Sequence, residues 1–374
     1  MNSKLTVSHR SLALITVIAV VFILYVLKPL IMPLLLAMIL GVMIFPVQKY
    51  FEKKWRCDRL FSTIFSICLI FSITALIFLI VFIELQYFVD SGEDYSIKIS
   101  ALFDELMNYL VDIFSINRNK IAYSDSLDLG NLLKGNSGKV MTFIFESGSF
   151  LSNAVLIPVY LFFFLYYRRF FRAFTHKVFK NKSQSFINTM INKVYRVQKN
   201  YLAGLIKVML IVGILNTIAL LILGIEKAIF FGFFAALLLL IPYIGIIIGA
   251  LLPAVVALAT KDSAWYAFGV IAIFGFIQFL EGNFITPKVT GSEVSLNSFV
   301  TILSLIAFAM LWGISGMIVA LPITATIKII FDNTPGFEPY GFVMGQPIDI
   351  HLKTKARQRL KVWKNIRKKK LLQP

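Results

Sequence analysis

Residues 228–260 of the chain read AIFFGFFAALLLLIPYIGIIIGALLPAVVALAT, and residues 298–331 read SFVTILSLIAFAMLWGISGMIVALPITATIKIIF. Each is apolar almost throughout. Each is interrupted near its middle, by Pro242, Tyr243 and Gly245 in the first and by Gly313 and Gly316 in the second. As one straight helix either stretch would be about 50 Å long, against a hydrocarbon core of roughly 30 Å, while two full crossings need about 40 residues. A helical hairpin that dips into the membrane and turns back fits both lengths. Irregular backbone at membrane depth is tolerated only where protein or a wet cavity covers it, and broken helices of this kind are where secondary transporters bind substrates. Gly249 and Pro253 read as further breaks of the first hairpin and Pro322 as a further break of the second.

Composition agrees with an all-α polytopic membrane protein. Of 374 residues 58% are hydrophobic and only 15% charged, and a soluble chain of that length could not hide so much apolar surface. The net charge of +18 does not point to nucleic acid. Its bases follow hydrophobic segments directly, and residues 351–374 hold a run of Lys and Arg with no acid. That is the positive-inside pattern of a cytoplasmic tail drawn to anionic lipid. Cys57 and Cys68 suggest neither a disulfide framework nor a metal site.

Working outward, the pattern predicts about eight membrane segments. Residues 1–88 hold spans one (11–27), two (34–47) and three (60–88), with 28–33 as a proline turn between the first two. Residues 89–148 form an extracytoplasmic helical segment. Residues 149–200 hold span four and then a basic helix lying at the interface, 183–200. Residues 201–331 form a transport core: span five (202–223) with the first hairpin, then span six (264–280) with the second. The units 201–260 and 264–331 enter from opposite sides and so make an inverted repeat. Residues 332–374 are the cytoplasmic basic tail.

Polar residues inside such a chain mark sites. Gln278, Glu281 and Asn283 cluster at the end of span six and lead into a loop with Pro287 and Gly291. Gln278 and Glu281 are three apart and share a helix face. An intramembrane acid is costly and usually functional, so Glu281 is the candidate ion- or proton-linked group, against the plainer reading of a carboxylate that reaches water at a helix end. Asn216 and Thr217 lie within span five. Asn297, Ser298 and Thr301 lead into the second hairpin and are expected to meet the tip of the first. Enzyme chemistry has little support. The three histidines fall outside the spans, no phosphate-binding glycine loop occurs, and no intramembrane aspartate pair is present. No cofactor or metal site is expected.

The chain resembles the AI-2E transporter family, also called the PerM-like permeases. The resemblance runs through Leu27-Lys28-Pro29-Leu30, Leu156-Ile157-Pro158-Val159 and Ile241-Pro242-Tyr243-Ile244-Gly245. Its strongest block is Gln278-Phe279-Leu280-Glu281-Gly282-Asn283, followed by Thr286-Pro287-Lys288, Gly291 and Trp312-Gly313-Ile314-Ser315-Gly316. Two departures stand out. The family's Arg-Gly-Gln-like entry to span five is Gln198-Lys199-Asn200 here, and its His-Pro pair is Asn297-Ser298. The resemblance implies transport across a bacterial inner membrane by a homo-oligomer, and the charge pattern together with the turn at 28–33 places both termini in the cytoplasm. Three functions stay open: export or exchange of a small hydrophilic solute or signal, sodium–proton antiport with Glu281 titrating, and a scaffold that transports nothing.

Overall fold

A computed structural model describes residues 9–90, 149–180, 182–242, 244–290 and 296–346. The extracytoplasmic segment 89–148 and the tail beyond 346 lie almost wholly outside these residues. Among the described residues the chain is helical, and its one strand-like contact is an isolated antiparallel bridge between Leu296 and Gly345.

The first helix, α1 (His9–Val26), runs into α2 (Lys28–Lys54) through the single residue Leu27. The expected proline turn at 28–33 is absent. Leu27 N–H still donates to the Ile23 carbonyl at 2.9 Å, and Ile31 N–H to the Leu27 carbonyl at 2.9 Å. The chain therefore bends at Leu27 and does not reverse. Pro29 sits in the first turn of α2, where its missing N–H has no partner to lose, and its fixed φ suits a helix start. Pro33 and Pro46 lie inside α2.

α3 (Arg59–Asp90) and α4 (Ser149–Tyr166) pack on α2 around Ala37, Ile44, Leu161 and Leu165. At the end of α2 Glu52 pairs with Arg168 at 2.6 Å. Arg168 opens α5 (Arg168–Val178), which leads to α6 (Gln184–Ile222). Ser183 caps α6 by accepting from Phe186 N–H at 3.2 Å. The interfacial helix and span five expected from sequence are this one helix, about 58 Å long at 1.5 Å per residue. Its first half therefore continues the span and does not lie flat beside it.

Both hairpins are present. In the first, α7 (Ala228–Leu238) and α8 (Ile244–Thr260) flank a break at Leu239–Pro242. Gly245 and Gly249 face α7 so closely that an added Cβ would press on the Leu238 carbonyl and on Ala235. Both feet of this hairpin lie at the same end of α6, for Lys261 at its exit reaches Gly224 beside its entrance. In the second, α11 (Ser298–Trp312) and α12 (Ile314–Asp332) reverse at Gly313 alone. Its φ of 68° and ψ of −146° fall where only glycine sits without strain. Gly316 then packs against the Phe308 carbonyl, eight residues back. Its feet are tied as well: Asn297 donates to the Val343 and Gly345 carbonyls, beside the short helix α13 (Glu338–Met344).

Between the hairpins, α9 (Trp265–Leu280) does not stop at Leu280. A π-helical turn, Glu281–Ile285, and α10 (Thr286–Thr290) continue it without a gap. The polar loop expected to begin there is helix through Thr290.

Candidate functional site

Glu281 opens the π turn, and the turn has a local cause. Pro287 lacks an N–H and its ring crowds the carbonyl four residues back, so the preceding turn widens. Thr286 N–H donates to the Glu281 carbonyl, five residues back, and Asn283 Nδ2 donates to the Phe279 carbonyl at 2.9 Å. In an α-helix residues five apart do not share a face; in a π turn they do. The Thr286 hydroxyl thus reaches Glu281 Oε1, while Gln278 Nε2 donates to Oε2 at 2.6 Å. The two carboxylate oxygens are held by two neutral donors, and among the described residues no cation pairs with Glu281. The helix runs nine residues past it, so Glu281 is not at a helix end.

Glu281 lies on the stripe between Ile277 and Ile285. Those two pack with Val208, Val212 and Leu215 of α6 and with Leu239 at the tip of the first hairpin. The π turn therefore lies level with that tip. Higher on α6, Thr217 presses against the backbone of Gly232 in α7, and Gly213 against Phe233 and Ala236. Asn216 and Thr217 are buried, and among the described residues Asn216 Oδ1 and Thr217 Oγ1 have no hydrogen-bond partner. Gln278 and Glu281 on α9 and its π turn thus lie level with the tip of the first hairpin, while Asn216 and Thr217 on the antiparallel α6 face the arm above it.

The second hairpin is elsewhere. Trp312 at its tip packs on Met32 and Val319, and its indole N–H donates to the Leu24 carbonyl at 3.0 Å. Among the described residues this tip is covered by α1 and α2 and does not meet the first, and Asn297, Ser298 and Thr301 do not reach the first tip as expected. Asn297 caps α11 by accepting from Val300 N–H at 2.9 Å, and the Thr301 hydroxyl donates to the Asn297 carbonyl at 3.0 Å. These residues tie a hairpin foot, with Ser298 in the first turn of α11. Pro242 and Gly313 lie at the breaks. Gly249 and Pro253 sit inside α8, and Gly316 and Pro322 inside α12. These four do not interrupt their helices, since the small residues serve close packing and the prolines are absorbed where the core is tight. Pro287 is helical, whereas Tyr243 and Gly291 lie outside the described residues.

Sequence reasoning assigned no contact to two buried polar groups, one of them the Gln198 noted only as a departure from the family pattern. Gln198, 7% exposed, donates to the Pro322 carbonyl at 2.5 Å and to the Thr326 hydroxyl at 2.7 Å, joining α6 to the second hairpin. Gln48, fully buried, donates to the Thr63 hydroxyl at 2.6 Å between α2 and α3. A lone glutamine amid bases or aliphatics carries no periodic signal.

An all-α, multi-pass membrane protein with two helical hairpins and a carboxylate held by neutral donors within a membrane helix has the build of a secondary transporter. The family model described as AI-2E family transporter matches residues 14–336, and the chain belongs to that family. Among curated proteins, YueF of Bacillus subtilis is 28% identical over 309 residues, 80% of this chain and 83% of its own length. YrrI of the same organism is 34% identical over 130 residues, 35% of this chain and 36% of YrrI. Both are named as putative transport proteins. The AI-2 transport protein TqsA of Escherichia coli is 29% identical over 137 residues, 37% of this chain and 40% of TqsA. The chain thus spans about a third of YrrI and two fifths of TqsA in these matches.

Proposed function

We propose that this transporter moves a small hydrophilic solute or monovalent cation through the space between the first hairpin's tip, α6 and the π turn, with Glu281 as the ion-linked group. The observation that carries this reading is the carboxylate itself. It lies inside a membrane helix, is oriented on both oxygens by neutral donors, and lacks a fixed cation among the described residues. A carboxylate left with net charge within a membrane helix is costly. A mobile sodium ion or proton that arrives and leaves offsets that cost and couples occupancy to transport.

The basic ends of α2 and α5 face the cytoplasm in this reading, and the membrane is a bacterial inner membrane. The bend at Leu27 removes the reversal on which a cytoplasmic N-terminus rested, so that orientation is not part of the proposal. The tail meets anionic lipid. Several copies assemble, and the protein transports without covalent catalysis. The TqsA name points to a small polar signal as one cargo to try.

Glu281→Gln in proteoliposomes tests the site. Sodium–proton exchange falls to background if Glu281 is the coupling group, and Glu281→Asp retains part of it. Export of an uncharged solute that survives in Glu281→Gln, with no exchange in the parent, would instead support the solute exporter with Glu281 as a structural residue. Unchanged exchange in Glu281→Gln overturns the assignment.

A further inference from the structure

A second surface lies outside the transport site. Tyr167 joins α4 to α5 with helical hydrogen bonds on both sides, so α5 extends the membrane helix. It then pairs with the start of α6. Arg172 donates to Asn192 at 3.3 Å, and His176 bonds Asn188 at 3.2 Å, the antiparallel register of a helical hairpin. That hairpin is tied to the membrane by both α4 and α6.

Its outer face has no partner among the described residues. None of the residues of α5 is buried. Phe170, Phe174 and Val178, four apart and so on one face, are 65%, 55% and 55% exposed. Beside them Arg169, Lys177 and Lys180 make no ion pair among the described residues. Between Glu146 and Glu226 the sequence has no acid, and the one carboxylate that reaches α5 among the described residues, Glu52, is taken by Arg168.

We propose that this face of α5 binds the anionic phospholipid headgroups of the membrane that the chain spans. Aromatic rings interleaved with bases suit the headgroup layer, where rings rest at the acyl boundary and bases meet phosphate. A second copy of this basic face would be repelled. An acidic soluble protein has the right charge but would have to be recruited, whereas the lipid surface adjoins the helix through α4. The proposal rests on the membrane-spanning reading and not on the role of Glu281.

The test uses the full chain with Cys57→Ala, Cys68→Ala and Phe174→Cys, labelled with an environment-sensitive dye. It is placed in nanodiscs of phosphatidylcholine alone or mixed with phosphatidylglycerol, with a quencher on the lipid headgroups. Quenching is expected in the anionic discs, weakening as salt is raised. Replacing Arg169, Lys177 and Lys180 by Gln should weaken it by about fivefold per base removed. Should that triple variant fail to fold, the salt titration on the parent reads the same charge dependence. Equal quenching in both lipids, or a triple variant that matches its parent, overturns the proposal. So does shielding of the dye only when an acidic polypeptide such as polyglutamate is added, which would make the occupant a protein. Glu281→Gln leaves the quenching unchanged, so this failure and that of the transport reading are separable.

Discussion

Gly232 and Thr217 set the closest approach between the first hairpin and α6. A Cβ at Gly232 would meet Thr217 N at 2.6 Å and Cα at 2.8 Å, backbone atoms that cannot step aside. Gly232→Ala should destabilise the protein by about 1–3 kcal/mol or more, read as a lowered melting temperature in detergent. Gly275→Ala is the matched control. Nothing lies within 4 Å of its Cβ, so it should be neutral or raise stability by up to about 1 kcal/mol. Thr286→Val keeps the side-chain shape and removes the hydroxyl that reaches Glu281. It should impair ion-coupled transport with little change in folding, while Thr286→Ser restores it; equal transport in the Val and Ser variants would contradict that role. At this scale the sequence spoke plainly where a residue is chemically out of place. An acid, an asparagine and a threonine inside apolar spans were visible as candidates. The partner of each was not, because Thr286 shares a face with Glu281 only in a π turn, and Thr217 meets a glycine on a different helix.

Among the elements, the π turn has the sharpest consequence. Proline inside a helix costs about 3 kcal/mol, so Pro287→Ala should raise the melting temperature. The restored N–H lets the turn tighten to an α-helix, which rotates Thr286 away from Glu281, so transport should fall although the fold is more stable. A Pro287→Ala variant that keeps full transport would sink this account of the turn. At Gly313 the conformation and not the space is limiting, for nothing lies within 4 Å of an added Cβ. Gly313→Ala should cost about 1–3 kcal/mol through φ alone. Elements were legible where length and a breaker agreed, as at Pro242. Prolines misled elsewhere. Pro29 and Pro33 read as a turn, yet one fills a helix start and the other is absorbed. Pro287 read as a loop, yet it shapes the helix before it. The basic, apolar-striped stretch 183–200 looks the same whether its helix lies flat or continues, and only the packed structure shows that it continues.

For the whole molecule, the arrangement is two hairpins held on opposite halves of α6. The first enters beside Gly224, where Lys227 pairs with Glu84 at 3.1 Å and lies over the Tyr87 ring. The second is bound near Gln198 and rises along α2 to Leu24. Gln198→Leu removes the buried link between α6 and the second hairpin and should cost about 1–3 kcal/mol in thermal stability, since the Pro322 carbonyl loses a donor. The two hairpins were readable from length and from their central breaks, but the separation of the two tips was not, because no sequence pattern says that α1 and α2 cover the second.

The central claim is that the first hairpin dips in and returns, which brings its tip level with Glu281. Single cysteines at Glu226 and Asp262, at its two feet, test this in a chain lacking Cys57 and Cys68. A membrane-impermeant maleimide applied to intact cells should label both positions. Labelling of one from outside and of the other only after the membrane is opened would make 228–260 a full crossing and contradict the account.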